Sequence, residues 1–116
     1  MLNNKTILIT GGTGSFGKKA TEIILKNYKP EKIIIFSRDE LKQFDMAQQF
    51  KGSEGIRYFI GDVRDKERLQ RAFHRVDYVI PLHFTGQSCE MGRIYGLSKK
   101  YNFNIIEDAC HAIGGR

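Results

Sequence analysis

The run Thr10-Gly11-Gly12-Thr13-Gly14-Ser15-Phe16-Gly17 has the composition and spacing of a phosphate cradle. Gly11, Gly14 and Gly17 recur at every third position, and each has a physical task. Gly11 permits the tight turn that leaves a strand. Gly14 lets the main chain approach a pyrophosphate where a side chain would block it. Gly17 lets the following helix pack closely on the strand. The phosphates would then meet the amides and the positive dipole end of that helix. Gly11, Thr13, Gly14, Ser15, Phe16 and Gly17 are therefore the expected contacts of a dinucleotide's diphosphate. A glycine pattern alone is weak, but this one follows the apolar run Ile7-Leu8-Ile9 and precedes an amphipathic segment, as the motif requires.

A second group of candidates follows the next apolar run. A site that prefers NAD places an acid at this strand end to bind the ribose hydroxyls. Here Ile33 to Phe36 leads into Ser37-Arg38-Asp39. The Arg38 guanidinium can pair with a 2′-phosphate, Ser37 can donate to it, and Lys42 stands one turn further on. NADP is the cofactor this favours. Asp39 has two readings, a ribose contact or the cap of the next helix. After the third apolar run comes Gly61-Asp62-Val63, where Asp62 can bond an adenine amine and Val63 can pack on the ring. Asp62 can equally cap a helix beginning near Asp65.

Other chemistry is thinly supported. Tyr95-Gly96-Leu97-Ser98-Lys99 matches Tyr-x-x-x-Lys, with both side chains on one helix face. It falls before the fifth strand, though, and the reading preferred here packs Tyr95 in the core with Lys99 in solvent. Tyr28 to Lys32 has the same spacing but spans Pro30 in a turn. The two cysteines, Cys89 and Cys110, form no Cys-x-x-Cys pair and are expected as reduced thiols. Cys110-His111 lacks the second ligand pair of a zinc site, so no metal is expected. His74 and His83 have no identifiable partner. The net charge of +6 comes from Lys and Arg spread among acids, which suits solvated helix faces and a small anionic ligand rather than nucleic acid. No apolar run approaches the roughly 20 residues of a membrane span. The N-terminus does not read as a signal peptide. A cytoplasmic protein of one domain over residues 1–116 is expected.

These candidates need elements to hold them. Apolar runs at Ile7–Ile9, Ile33–Phe36, Tyr58–Ile60, Tyr78–Ile80 and Asn104–Ile106 read as buried strands. Between them lie helical stripes: Phe16, Ala20, Ile23, Ile24 and Asn27; Leu41, Phe44 and Ala47; Leu69, Ala72, Phe73 and Val76; Met91, Ile94, Tyr95, Ser98 and Tyr101. Strict strand–helix alternation predicts an α/β fold, a Rossmann-like doubly wound parallel sheet of about five strands.

Three segments carry a closer resemblance: Thr10 to Gly17, then Phe36-Ser37-Arg38-Asp39-Glu40-Leu41-Lys42-Gln43, then Tyr58 to Asp65. Residues 1–80 resemble the extended short-chain dehydrogenases, and within them the inverting UDP-N-acetylglucosamine 4,6-dehydratases of pseudaminic acid synthesis. That resemblance implies NADP as a transient hydride acceptor. Hydride leaves C4 of a UDP-sugar, water is lost across C5 and C6, and hydride returns at C6 with inversion at C5. It also implies an oligomer, and a Tyr-x-x-x-Lys helix after the fifth strand. The 116 residues end just after that strand, so no catalytic residue is assigned and cofactor binding without turnover is expected. From Pro81 onward the likeness changes. Pro81, His83, Gly86, Met91, Ile94 and Ile106-Glu107-Asp108-Ala109-Cys110-His111-Ala112 resemble a segment of the pyridoxal-phosphate sugar aminotransferases. There the acid matching Asp108 binds the pyridine nitrogen, and the residue matching His111 lies beside the ring. The Schiff-base lysine would fall beyond Arg116, so pyridoxal phosphate is not expected to bind. The chain reads as a fusion of two pieces joined near Val79-Ile80.

Overall fold

The computed structural model describes residues 2–11, 13–53, 55–62, 65–81 and 88–106. Strands and helices alternate: β1 (Thr6–Thr10), α1 (Ser15–Asn27), β2 (Lys32–Ser37), α2 (Glu40–Gln49), β3 (Ile56–Ile60), α3 (Lys66–Phe73), β4 (Tyr78–Pro81), α4 (Ser88–Tyr101) and β5 (Asn104–Ile105). The strands form one five-stranded sheet in the order β3-β2-β1-β4-β5. Every pairing is parallel, with Ile7 opposite Ile33 on one side of β1 and opposite Tyr78 on the other. This is the doubly wound Rossmann-like sheet that the alternation predicts. Chain order reverses between β1 and β4, which makes that junction the topological switch point.

Alternation along each strand divides the core between the two faces of the sheet. Ile7 and Ile9 of β1, Ile33 and Ile35 of β2 and Ile80 of β4 join Ala20, Ile23 and Ile24 of α1 and Met46 of α2. On the opposite face Leu8, Phe36 and Val79 join Leu69, Ala72 and Phe73 of α3, and Ile94 and Leu97 of α4. Phe73 and Phe103 meet edge-to-face at 5.1 Å there. Burying each of these large side chains contributes roughly 1.5–3 kcal/mol, and together they set the register of the central strands.

The third helical stripe is buried as expected, through Leu69, Ala72, Phe73 and Val76. The others differ. In α1 the inward face is Gly17, Ala20, Thr21, Ile23 and Ile24, while Phe16 is 65% exposed and Asn27 is exposed, its Nδ2 donating to the Ile23 carbonyl. In α2 the stripe is rotated. Gln43 and Met46 are buried, with Ala47 and Phe50 half-buried, whereas Leu41 and Phe44 are 70% and 61% exposed. Residues 43, 46, 47 and 50 have the same three-and-four spacing, and satisfying the Gln43 amide decides which face turns inward. In α4, Ile94 and Leu97 point inward, and Tyr95 is 44% exposed, so it does not pack in the core. Lys99 shares its exposed face. Among the described residues no helix is long and apolar enough to cross a membrane, and no group of metal-ligating side chains gathers.

Two helices hand over to strands through left-handed residues, Arg75 after α3 (φ 62°) and Asn102 after α4 (φ 59°). Asparagine tolerates this region; arginine carries a Cβ penalty there. Arg75→Gly should therefore raise the free energy of unfolding by about 0.5–1 kcal/mol, read from the denaturant midpoint. Asn102→Ala should lower it.

Candidate functional site

All strands are parallel, so their C-terminal ends and the helix N-termini lie along one edge of the sheet. At the end of β1, Gly11 turns with φ 61° while its N–H still donates to Phe36 O at 2.8 Å, one step beyond the ladder. Gly14 N donates to Gly11 O (3.2 Å), and Lys18 N to Gly14 O (3.0 Å), so the turn runs directly into α1. Gly14 is the N-cap of α1, and no side chain caps this end. No acidic residue stands in its first turn.

The neighbouring helices are treated differently. Asp39 caps α2, its Oδ1 accepting from Lys42 N at 3.0 Å, with Glu40 in the first turn. Asp65 caps α3, its Oδ1 accepting from Arg68 N at 3.2 Å, with Glu67 in the first turn. Those ends carry their own carboxylates. The first-turn amides of α1 have no such partner, which leaves that dipole end matched to an external anion. A diphosphate fits this donor set, because the residues beside it are glycines and a loop without negative charge.

Ser37, at the end of β2, is buried (8% exposed) and joins three segments. Its Oγ accepts from Asp39 N (3.2 Å) and from Gln43 Nε2 (3.3 Å), and lies 3.4 Å from Thr13 Oγ1 of the glycine loop. Gln43 Nε2 also lies 3.3 Å from Ser37 O and 3.1 Å from Phe59 O, so it ties the end of β2 to β3. Beyond this buried layer Arg38 reaches toward solvent, and its Nη1 stands 3.5 Å from Asp62 Oδ2. With side-chain exposures of 70% and 32%, that pair is screened and easily opened. Lys42 is exposed one turn into α2.

The last wall is aromatic. Phe36 and Phe59 stack at 5.6 Å, and the Arg68 guanidinium lies 4.5 Å above the Phe59 ring while its Nε donates to Ile60 O at 2.8 Å. Gly61 makes this closeness possible. A Cβ there would come within 2.8 Å of Arg68 Cγ and 2.9 Å of Phe36 Cζ.

The candidate residues therefore come together from three strand ends. Gly11, Thr13, Gly14, Phe16 and Gly17 gather at β1, Ser37, Arg38, Asp39 and Lys42 at β2, and Asp62 at β3. Ser15 opens α1. Asp39 adopts its capping role. Asp62 is not the cap of α3, which is Asp65; the Asp62 carbonyl accepts from Asp65 N at 2.9 Å. Val63, His83, Asp108, Cys110 and His111 lie outside the described residues. Sequence reading missed Gln43, because the apolar Leu41 and Phe44 drew the inward face onto the wrong side of α2. The spacing of Gln43, Met46, Ala47 and Phe50 was the signal available.

Comparison with known proteins gives two matches along the chain. Residues 7–85 match the model of the polysaccharide biosynthesis protein family. The chain belongs to that family. Residues 65–116 match the DegT/DnrJ/EryC1/StrS aminotransferase family, overlapping the first match around β4. A UDP-N-acetylglucosamine 4,6-dehydratase (inverting) of Campylobacter jejuni is 68% identical over 80 residues, which are 69% of this chain and 24% of that protein. The chain thus spans about a quarter of that relative's length. Among solved structures, Pen from Bacillus thuringiensis superposes with a TM-score of 0.82 at 26% identity, covering 92% of this chain and 38% of that one. A short-chain dehydrogenase/reductase from Veillonella parvula in complex with NADP gives 0.74 at 20% identity, covering 89% and 46%. Polysaccharide biosynthesis family membership covers β1 to β4, and so every residue of the glycine loop, the Ser37 corner and the Gly61 turn.

In this family member Tyr95 and Lys99 lie on α4, before β5. They share a solvent-facing surface, and the Tyr95 carbonyl accepts from Ser98 Oγ at 2.6 Å. The tight packing at Gly61 is directly testable. Gly61→Ala should destabilise the fold by about 1–3 kcal/mol, because Phe36 is fully buried and cannot retreat. Gly52→Ala is the comparison, a strained backbone (φ 93°) in open space, and should cost less. Denaturant midpoints of the two variants give the difference.

Proposed function

We propose that this chain is the dinucleotide-binding N-terminal unit of a nucleotide-sugar 4,6-dehydratase, with NADP as cofactor and a UDP-N-acetylhexosamine as the substrate of the complete enzyme. The observation that carries the reading is the uncapped N-terminus of α1. Of the helices α1 to α3, it alone presents first-turn amides with neither a capping carboxylate nor an acid in its first turn. The identity of 68% with a dehydratase over 80 residues supports the same assignment.

The residues divide the work. Gly11, Gly14 and Gly17 let the main chain meet the diphosphate, with Thr13, Ser15 and Phe16 flanking it. Arg38 and Lys42 supply positive charge at the ribose corner, and Ser37 a hydroxyl. In the exposed Arg38–Asp62 pair the guanidinium can exchange a carboxylate for a phosphate, and Asp62 stands on the adenine side. Asp39 holds α2 by its cap, so the ribose corner carries no free acid from that residue. Val63 completes the adenine side. Bound here, the dinucleotide supplies a reversible hydride acceptor. The 116-residue chain binds it without turning over sugar, because the Tyr-x-x-x-Lys pair it carries, Tyr95 and Lys99, lies on α4 before β5 rather than on a helix after it. The aminotransferase-like stretch serves as the strand–helix–strand that completes the sheet rather than as a pyridoxal-phosphate site.

Titration of NADP into the purified chain, with NAD as comparator, should give saturable binding with NADP the tighter ligand. The absence of a saturable signal for either would sink the proposal. Arg38→Ala should weaken NADP by about tenfold or more and leave NAD nearly unchanged. Gly14→Asp separates the anion site from the fold. Gly14 has φ −77° and ψ 177°, open to any residue, so an aspartate there can cap α1. Thermal stability should hold or rise, by up to about 1 kcal/mol, while binding of both dinucleotides is lost.

A further inference from the structure

Gln43 is a buried amide, 4% exposed, on the inward face of α2, and the nucleotide contacts proposed above do not use it. Its Nε2 lies 3.1 Å from Phe59 O, 3.3 Å from Ser37 O and 3.3 Å from Ser37 Oγ. Two of these three are main-chain carbonyls, which only accept. Chemistry therefore decides that the amide nitrogen, not its oxygen, faces the strand ends.

The consequence falls on Ser37. A hydroxyl oxygen has two lone pairs and one proton. Here two N–H groups approach the oxygen, Asp39 N at 3.2 Å and Gln43 Nε2 at 3.3 Å, the latter through a hydrogen shared with Ser37 O because the amide has two hydrogens for three acceptors. Thr13 Oγ1 donates to the same oxygen at 3.4 Å, so the lone pairs of Ser37 are taken up within the protein and what it has left to offer a ligand is its proton. Thr13 belongs to the glycine loop and Ser37 to the ribose corner, so this one oxygen joins the two halves of the cradle.

We infer that Gln43 is a positioning residue: it holds Ser37 as a hydrogen-bond donor toward the ribose corner and thereby sets a preference for a 2′-phosphate over a 2′-hydroxyl. This deepens the proposed dinucleotide site and rests on it. A phosphate oxygen accepts only and carries charge, so a fixed donor favours it strongly. A hydroxyl both donates and accepts, and gains little from one fixed direction. Without the Gln43 amide a lone pair of Ser37 is freed, and the hydroxyl can accept from a ribose 2′-hydroxyl as readily as it donates to a phosphate. Arg38 supplies the charge at this corner, and Gln43 supplies the direction.

The test uses Gln43→Met, which keeps the length and apolar bulk of the side chain, and Gln43→Asn, which keeps the amide but draws it back by one methylene. Each is made in the 116-residue chain, alone and with Ser37→Ala, and titrated with NADP and with NAD alongside thermal unfolding. The ratio of NADP to NAD affinity should fall about tenfold in each Gln43 variant and in Ser37→Ala. Gln43→Met should add nothing to that ratio once Ser37 is alanine. A residue that merely supports the fold would lower stability and weaken both dinucleotides together. An unchanged ratio in the Gln43 variants, or in Ser37→Ala, overturns the positioning role while leaving dinucleotide binding intact. So does a further fall when Gln43→Met is added to Ser37→Ala. An unaltered chain that binds neither dinucleotide overturns the site and this inference together.

Discussion

A parallel strand cannot be joined to its neighbour by a tight turn, and the geometry of this chain follows from that constraint. Each of the first four strands is joined to the next through a helix on one face of the sheet or the other. All strand C-termini therefore reach one edge, and the N-termini of the crossover helices reach it with them. Such an edge is a concentration of unpaired main-chain N–H groups and of positive dipole ends. How each helix disposes of those groups decides whether the edge is merely closed or able to hold a ligand.

Two of the first three helices close themselves. Asp39 and Asp65 each turn a carboxylate back onto the third residue of the helix they begin. At α1 a glycine stands where the cap would be, which forgoes a few tenths of a kcal/mol of helix stabilisation. The floor beneath that end is polar and fully engaged. Thr13, Ser37 and Gln43 are buried there, and no buried side-chain nitrogen or oxygen lacks a partner among the described residues. A satisfied polar layer at low dielectric is stiff, because any displacement strands a donor. The glycine loop is thereby supported from below, through Thr13.

The central strands were legible from composition alone, since strands covered on both faces must be continuous apolar runs, and Ile7–Ile9 and Ile33–Phe36 are such runs. The glycine loop was equally plain, because turning out of β1 and packing α1 against it impose glycine at particular positions. The helix faces were harder. In α2 two phase choices shared the same spacing, and the apolar choice lost because Gln43 reaches acceptors on two strands that come together only in the folded chain. Counting hydrophobic residues registers an amide as polar and sends it outward; three acceptors at 3.1–3.3 Å bring it in. The Arg38–Asp62 pair and the Phe36–Phe59–Arg68 stack were invisible for the same reason. Their members are separated along the chain, and parallel pairing of β2 with β3 is what joins them.

The same reasoning explains how two kinds of sequence can share one sheet. The family matches overlap over residues 65–85, and β4 lies inside that overlap. Val79 contributes to one core and Ile80 to the other, while Ile7, Leu8, Ile9 and Thr10 of β1 pair along the whole strand. What β1 requires of this neighbour is a short apolar parallel strand, and a βα unit from either family offers one. What a ligand requires is different, because it reads loops and helix ends rather than strand interiors. Gly11 to Gly17, Ser37 to Gln43 and Gly61-Asp62 all belong to β1, β2, β3 and their connections, on the near side of the switch point. The residues of the proposed anion site and ribose corner thus all precede β4. The second stretch closes the sheet beside them and meets the glycine run at Thr10, whose Oγ1 donates to Ile80 O at 3.5 Å.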